Sequence, residues 1–236
     1  MGQADKYFQF PISILRDSFE STSDLCQTII ETSVSHLVNH IRPADFDIAL
    51  PHLAERYADR HELVAYRDYQ PDTNHECFLA AAEYLGFEFG SSHIHNVVTR
   101  FNRTGDQYPP TGTLCRLRTD IFWDARDHWP INRLRTLIAV YAGIGQNQSQ
   151  WLAYSRIRAL FAGYSGIQHA AQFNNEGLPS VKTVRYWVDD LWQRNLFQMV
   201  LANNTKRIYS NKFPDDDALK AYVQKTSRVR KRIQRL

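Results

Sequence analysis

The sequence predicts a mainly α-helical fold: an N-terminal helical region, a C-terminal helix–connector–helix–hairpin unit, and a basic terminal helix. Three observations predict it. Apolar residues recur at spacings of three and four through most of the 236-residue chain, which is the period of helices buried along one face. Alternation of apolar residues is clearest in one short stretch, Phe197, Met199 and Leu201. Asn203-Asn204 and Lys206-Arg207 follow it, and together these residues read as a hairpin. Basic residues collect at one end. Residues 180–236 hold thirteen Lys and Arg against five Asp and Glu, a balance of +8, which leaves −5 on residues 1–179. A split of this kind points to an anionic partner for one end, or to a solvated basic tail.

Taken in order, Tyr7 to Leu15 is short, apolar and broken by Pro11, as suits an extended edge segment or a buried arm. Ser23 or Asp24 is expected to cap a helix running to about His40, with Leu25, Ile29, Val34 and Leu37 on one face. Residues 45–57, 75–85 and 92–102 read as further helices, and 104–112 as a loop. Residues 114–127 are expected to be helical. Pro130 suits a first helical turn, because its missing donor would be unsatisfied there anyway. Leu134, Leu137, Ile138 and Tyr141 then form a buried stripe that Gly143 or Gly145 ends. Trp151 to Ala153 reads as a short strand, and Ser155 as the cap of a helix over 156–163.

Ser180 caps the next helix. Its Val181, Val184, Val188 and Leu191 fall on one stripe with Trp187 beside it, while Lys182, Arg185, Tyr186 and Asp189 take the opposite face. Asp215 to Asp217 place negative charge at the start of the final helix. That helix carries Leu219, Tyr222, Val223, Val229, Ile233 and Leu236 on an approximate stripe and Lys225, Arg228, Arg230, Lys231, Arg232 and Arg235 as its charge.

No run of about 18 apolar residues occurs, so no membrane span is expected. The first residues lack the charged-then-apolar pattern of a secretory signal. Cys26, Cys77 and Cys115 are few, odd in number and far apart, which argues for reduced thiols and a cytoplasmic protein rather than a disulfide framework.

From 130 to 212, about a third of the chain, the order helix, short strand, helix, helix, hairpin resembles the winged helix-turn-helix DNA-binding superfamily. The resemblance implies a winged helix domain over 129–213. Residues 1–128 are expected to form a helical domain for dimerisation or partner binding, and residues 214–236 a basic C-terminal helix. The resemblance also implies a recognition helix starting at Ser180, with Ser180 and Thr183 on phosphate, and Lys182, Arg185 and Tyr186 toward base edges in a major groove about 12 Å wide. It implies that Lys206 and Arg207 in the wing contact backbone phosphate or the adjacent minor groove, with Lys212 just after them. The basic charge of the terminal helix, Arg228 and Lys231 included, suits added phosphate contacts first, and a dimer helix or a weak membrane-surface helix as alternatives. The connector from Tyr164 to Pro179 departs from the superfamily's tight turn and leaves room for an inserted loop or extra helix. The expected partner is double-stranded DNA, with a possible homodimer or protein partner through the N-terminal region. The expected role is transcription regulation or a replication or mobile-element function. The alternative is a non-catalytic adaptor whose winged helix docks on protein.

Catalytic signals are weak. His75, Cys77, His93 and His95 are suitable zinc ligands, but residues two apart on a helix point in different directions, so no metal site is expected. Asp120, Asp124 and Asp127 read as a solvated face beside Arg118 and Arg126. Gly143-Ile144-Gly145-Gln146 lacks the third glycine and the Lys-Ser/Thr ending of a nucleotide-binding loop, and no nucleophile elbow occurs. No cofactor and no catalytic residue set are expected.

Overall fold

The computed structural model describes residues 7–40, 113–164, 178–202 and 206–233. These residues are mainly helical, with small antiparallel sheets. The chain divides into two compact units, one of residues 1–14 with 19–129 and one of residues 15–18 with 130–236. The expected helices at 45–57, 75–85 and 92–102, the loop at 104–112, and His75, Cys77, His93 and His95 lie outside the described residues, as do Asn203 and Asn204.

In the first unit, β1 (Tyr7–Pro11) pairs antiparallel with β2 (Leu114–Arg118). The segment 114–118, expected to be helical, is therefore a strand. Its period is two: Cys115 and Leu117 are buried and Arg116 and Arg118 are exposed. Phe8 and Phe10 lie opposite Leu117 and Cys115 and are fully buried with them, while Arg116 donates from Nε to Gln9 Oε1 at 2.8 Å on the outer face. Helix α1 (Thr22–His40) covers this ladder together with α2 (Thr119–His128), whose Phe122 ring stands 3.9 Å from that of Phe8. The cap of α1 is Ser21 rather than Ser23 or Asp24. Ser21 Oγ accepts from the Asp24 amide and Asp24 Oδ2 accepts from the Ser21 amide, both at 3.1 Å. Two donors at the helix start are thus satisfied reciprocally.

The second unit runs α3 (Ile131–Ile144), β3 (Gln150–Trp151), α4 (Tyr154–Phe161), α5 (Val181–Gln193), β4 (Gln198–Ala202), β5 (Lys206–Ser210) and α6 (Asp216–Ile233). Its sheet has the order β3-β5-β4, all antiparallel. Pro130 is the N-cap of α3, and Leu134, Leu137, Ile138 and Tyr141 are buried as the periodicity requires. Gly145 ends α3. Gly143 lies within it, and a Cβ there would stand 2.8 Å from Leu152 Cδ1 and 3.1 Å from Leu160 Cδ1, so the missing side chain lets α4 and the chain after β3 approach closely. Helix α4 starts at Tyr154 with no side-chain cap. Ser155 is its second residue, not its cap.

Helices α4 and α5 end alike. Gly163 at φ 82° and Asn195 at φ 57° adopt the left-handed conformation. In each case two amides fold back, Gly163 to Leu160 and Tyr164 to Ala159, Asn195 to Trp192 and Leu196 to Leu191. This paired bond satisfies carbonyls that a helix end would otherwise leave open. The segment 15–18 joins this unit through Arg135, which donates to the Leu15 carbonyl, and through Arg16, whose Nε reaches the Gly163 carbonyl at 3.2 Å.

Cys26 and Cys115 are buried free thiols. Burial, with Asp127 adding and Arg126 opposing, pushes the Cys26 thiol up to about 12, and burial alone holds Cys115 well above its usual value. In the unfolded chain both titrate near about 8.5. Below that value both states keep their protons and stability is independent of these groups. Above it only the unfolded chain loses them, so stability falls as pH rises toward 12. At pH 8 both cysteines should resist iodoacetamide until urea unfolds the chain, as peptide mass mapping would report; alkylation of the native protein at these two positions would contradict their burial. Asn195→Ala, placing a Cβ without a compensating amide in the left-handed region, should cost about 1 kcal/mol in urea unfolding, with Asn195→Gly close to neutral.

Candidate nucleic-acid interface

Helix α5 starts where Ser180 caps it. Ser180 Oγ accepts from the Thr183 amide at 3.1 Å and stands 2.8 Å from Thr183 Oγ1. Both hydroxyls expected on phosphate are therefore engaged with each other at the helix start. Val184, Val188 and Leu191 are fully buried, against α3 and α4. Val181, expected in the same stripe, is 46% exposed, because it is the first helical residue, one turn out from Val184, where the stripe runs past its neighbours. Lys182, Arg185 and Tyr186 are exposed, Tyr186 at 72%. Trp187 packs inward at the edge, its indole stacked on Phe161 at 5.6 Å and 19°.

Polar contacts fix how α5 sits. Arg158 on α4 donates to the Pro179 carbonyl at 2.7 Å, just before the cap. Arg133 on α3 meets Asp190 at 3.0 Å, and Arg194 meets the other Asp190 oxygen at 3.1 Å. Tyr141 donates its hydroxyl to the Leu196 carbonyl at 2.6 Å, anchoring the turn after the helix.

A second chain of contacts reaches the sheet. Arg185 Nε stands 3.6 Å from Asp189 Oδ2, Tyr154 Oη lies 3.4 Å from Asp189 Oδ1, and the Arg207 guanidinium lies 4.7 Å above the Tyr154 ring. Burial, then the Asp189 charge, raises the Tyr154 phenol above its usual range against the opposing charges of Arg207 and Arg185, so Tyr154 stays a neutral hydroxyl at ordinary pH.

The two expected wing cations diverge. Lys206 is exposed and opens β5. Arg207, the next residue along the strand, points to the opposite face and is half-buried over Tyr154. The expected burial of Phe197, Met199 and Leu201 fades along the strand. Phe197 is buried before β4 begins, Met199 is half-buried, and Leu201 is 60% exposed near the strand's end. Lys212 is exposed in the turn before α6, its amide donating to Ser210 Oγ at 3.0 Å. Arg228 and Lys231 lie in α6.

The unit boundary sharpens the charge asymmetry. Residues 130–236 carry seventeen Lys and Arg against six Asp and Glu, and residues 130–164 contain four Arg and no carboxylate. Trp151 is 53% exposed on β3 and Tyr154 links Asp189 to Arg207; neither is in the expected set. The carboxylate-free stretch around them is the sequence signal that could have found them. Among the described residues no three His, Cys, Asp or Glu side chains are grouped to hold a metal ion, and no helix is long and apolar enough to cross a membrane. Of the acidic residues on α2, Asp120 is bonded to Arg118 and Asp124 accepts from the Trp129 indole at 2.8 Å.

Ser180→Ala should lower stability by about 1 kcal/mol, because it leaves the Thr183 amide without its acceptor, and Ser180→Asp should restore most of that. Urea unfolding measures both. Equal midpoints for the alanine variant and the parent would mean that the cap contributes nothing.

No protein-family model, no curated protein and no solved structure matches this chain.

Proposed function

We propose that this protein binds duplex DNA through a winged helix formed by its second unit, as a transcription regulator or a replication or mobile-element factor. The order α3-β3-α4-α5-β4-β5, with sheet order β3-β5-β4, supports the winged-helix reading. In it α5 is the recognition helix and the β4–β5 hairpin is the wing. The observation that carries the reading is the division of α5. Val184, Val188 and Leu191 are committed to the core, so Lys182, Arg185 and Tyr186 must project outward, from a unit with a large excess of positive charge. Such a helix can enter a major groove, where an arginine pairs with the two acceptors of guanine. Lys206, Lys212 and the basic half of α6 supply phosphate contacts that neutralise backbone charge and release counterions. Arg207 supports the wing from behind, over Tyr154. The first unit, together with the region around it, serves dimerisation or partner contact.

An adaptor that docks on protein is the second reading. The exposure of Tyr186 and Leu201 favours it, since exposed aromatic and aliphatic side chains serve protein interfaces as well.

Binding of a duplex selected from a random pool, measured across salt concentration, separates these readings. Lys182→Ala with Arg185→Ala should cut discrimination between selected and scrambled duplex by about 1–3 kcal/mol. Lys206→Ala should weaken binding to both and reduce the log–log salt slope by about 1. Absence of any salt-sensitive duplex affinity would remove the DNA reading in favour of the adaptor.

A further inference from the structure

The outer sheet face holds a feature that duplex reading by α5 does not use. Trp151 pairs with Ile208 across β3 and β5, and Ile208 pairs with Val200 across β5 and β4. Cross-strand partners share a face, and alternation places Lys206 on the same one. Tyr209, between Lys206's neighbour and the strand's end, takes the opposite face and is fully buried. The sheet therefore has a core side marked by Tyr209 and an outer side marked by Trp151. There the indole is 53% exposed and the Lys206 ammonium lies 5.6 Å from its ring centroid. An indole is a large apolar surface to leave in water. No carboxylate lies in β3, β4 or β5, and none occurs anywhere in residues 130–164.

We infer that this outer face takes an unpaired nucleobase, with the Trp151 indole stacking on the base and the Lys206 ammonium meeting the adjacent phosphate. The inference rests on the nucleic-acid reading above and narrows its substrate to DNA that is locally opened. Charge chooses the occupant. A nucleotide offers a flat π-face and an anion side by side, which matches an indole with a flexible side chain's ammonium held over its ring and no carboxylate in the three strands of its sheet. A paired base keeps both faces stacked within the duplex, so only an unpaired or unstacked base can meet the ring.

The test uses the full chain and two labelled duplexes of one sequence, one fully paired and one with a short central bubble of unpaired thymines. Their affinities are compared by fluorescence anisotropy. The parent protein should bind the bubble about tenfold more tightly. Trp151→Ala should abolish that preference and leave affinity for the paired duplex unchanged, and Trp151→Phe, which keeps a stacking ring, should retain most of it. Circular dichroism of each variant checks that the fold persists. Equal affinity of the parent for the two duplexes, or a bubble preference that survives Trp151→Ala, overturns the inference while leaving duplex recognition intact. Failure to bind either duplex overturns both readings. Self-association that Trp151→Ala dissolves in sedimentation, without any bubble preference, would give this face to a second copy of the chain.

Discussion

The burial of Val184, Val188 and Leu191 decides everything that α5 presents. A helix advances by a fixed angle per residue, so committing three positions to the core leaves the remaining positions no freedom of direction. Each of these side chains contributes about 1.5–3 kcal/mol when fully buried. The Arg133–Asp190 pair is partly exposed, with about a quarter of each side chain accessible, and such pairs contribute about 1 kcal/mol or less. The apolar stripe therefore sets the rotation of α5. The ion pair, the Arg158 bond to Pro179 and the Tyr141 bond to Leu196 set its position along the axis. Lys182, Arg185 and Tyr186 face outward as a consequence of what is buried behind them.

Several carboxylates in the basic half have structural work that limits their opposition to an anion. Asp190 is divided between Arg133 and Arg194. Asp215 accepts from the Ala218 amide at 2.8 Å and caps α6. Asp216 accepts from the Trp192 indole at 3.0 Å and from the Met199 amide at 2.8 Å. Asp189 differs, because it lies one turn beyond Arg185 on the outward side and holds that guanidinium loosely at 3.6 Å. A carboxylate at this position restrains the long arginine side chain before any partner arrives. On the duplex reading it would also repel phosphate, so the face would favour a partner that offers Arg185 a better-placed acceptor over one that offers charge alone.

Much of the second unit was legible in the sequence because its local rules agree. Ser180 before a run of spacings three and four announced α5, and Pro130 before Leu134, Leu137 and Ile138 announced α3. The strand β2 was misread because Leu114 to Arg118 is only five residues long and runs directly into α2. A period of two over five positions, joined to a helical pattern, is absorbed by the longer signal. Its partner β1 lies more than a hundred residues earlier, so no hairpin signal marked the pairing. The cap at Ser21 was missed in favour of nearer candidates, although Asp24 three residues later completes the reciprocal pattern. At the candidate site, the exposure of Lys182, Arg185 and Tyr186 was legible from helix geometry, whereas that of Val181 was not. The separation of Lys206 from Arg207 was not, because it depends on which sheet face the helices cover, and that is a tertiary fact.

The same tertiary packing ties the start of α6 to α5 and β4. Sheet edges need their amides satisfied or covered, and on the outer edge of β4 the Met199 amide is satisfied by Asp216 at the first position of α6. The other oxygen of that carboxylate holds Trp192 near the end of α5. One side chain thus links the end of α5, the edge of the wing and the start of α6, so the origin of the terminal helix is fixed relative to both proposed contact elements. Along α6 the acidic residues stand at this anchored end, where the helix dipole favours them, and positions 228 and 231 follow roughly 18–23 Å further on at 1.5 Å per residue. On the duplex reading, the tail would add phosphate contacts from a fixed base rather than as a free tether.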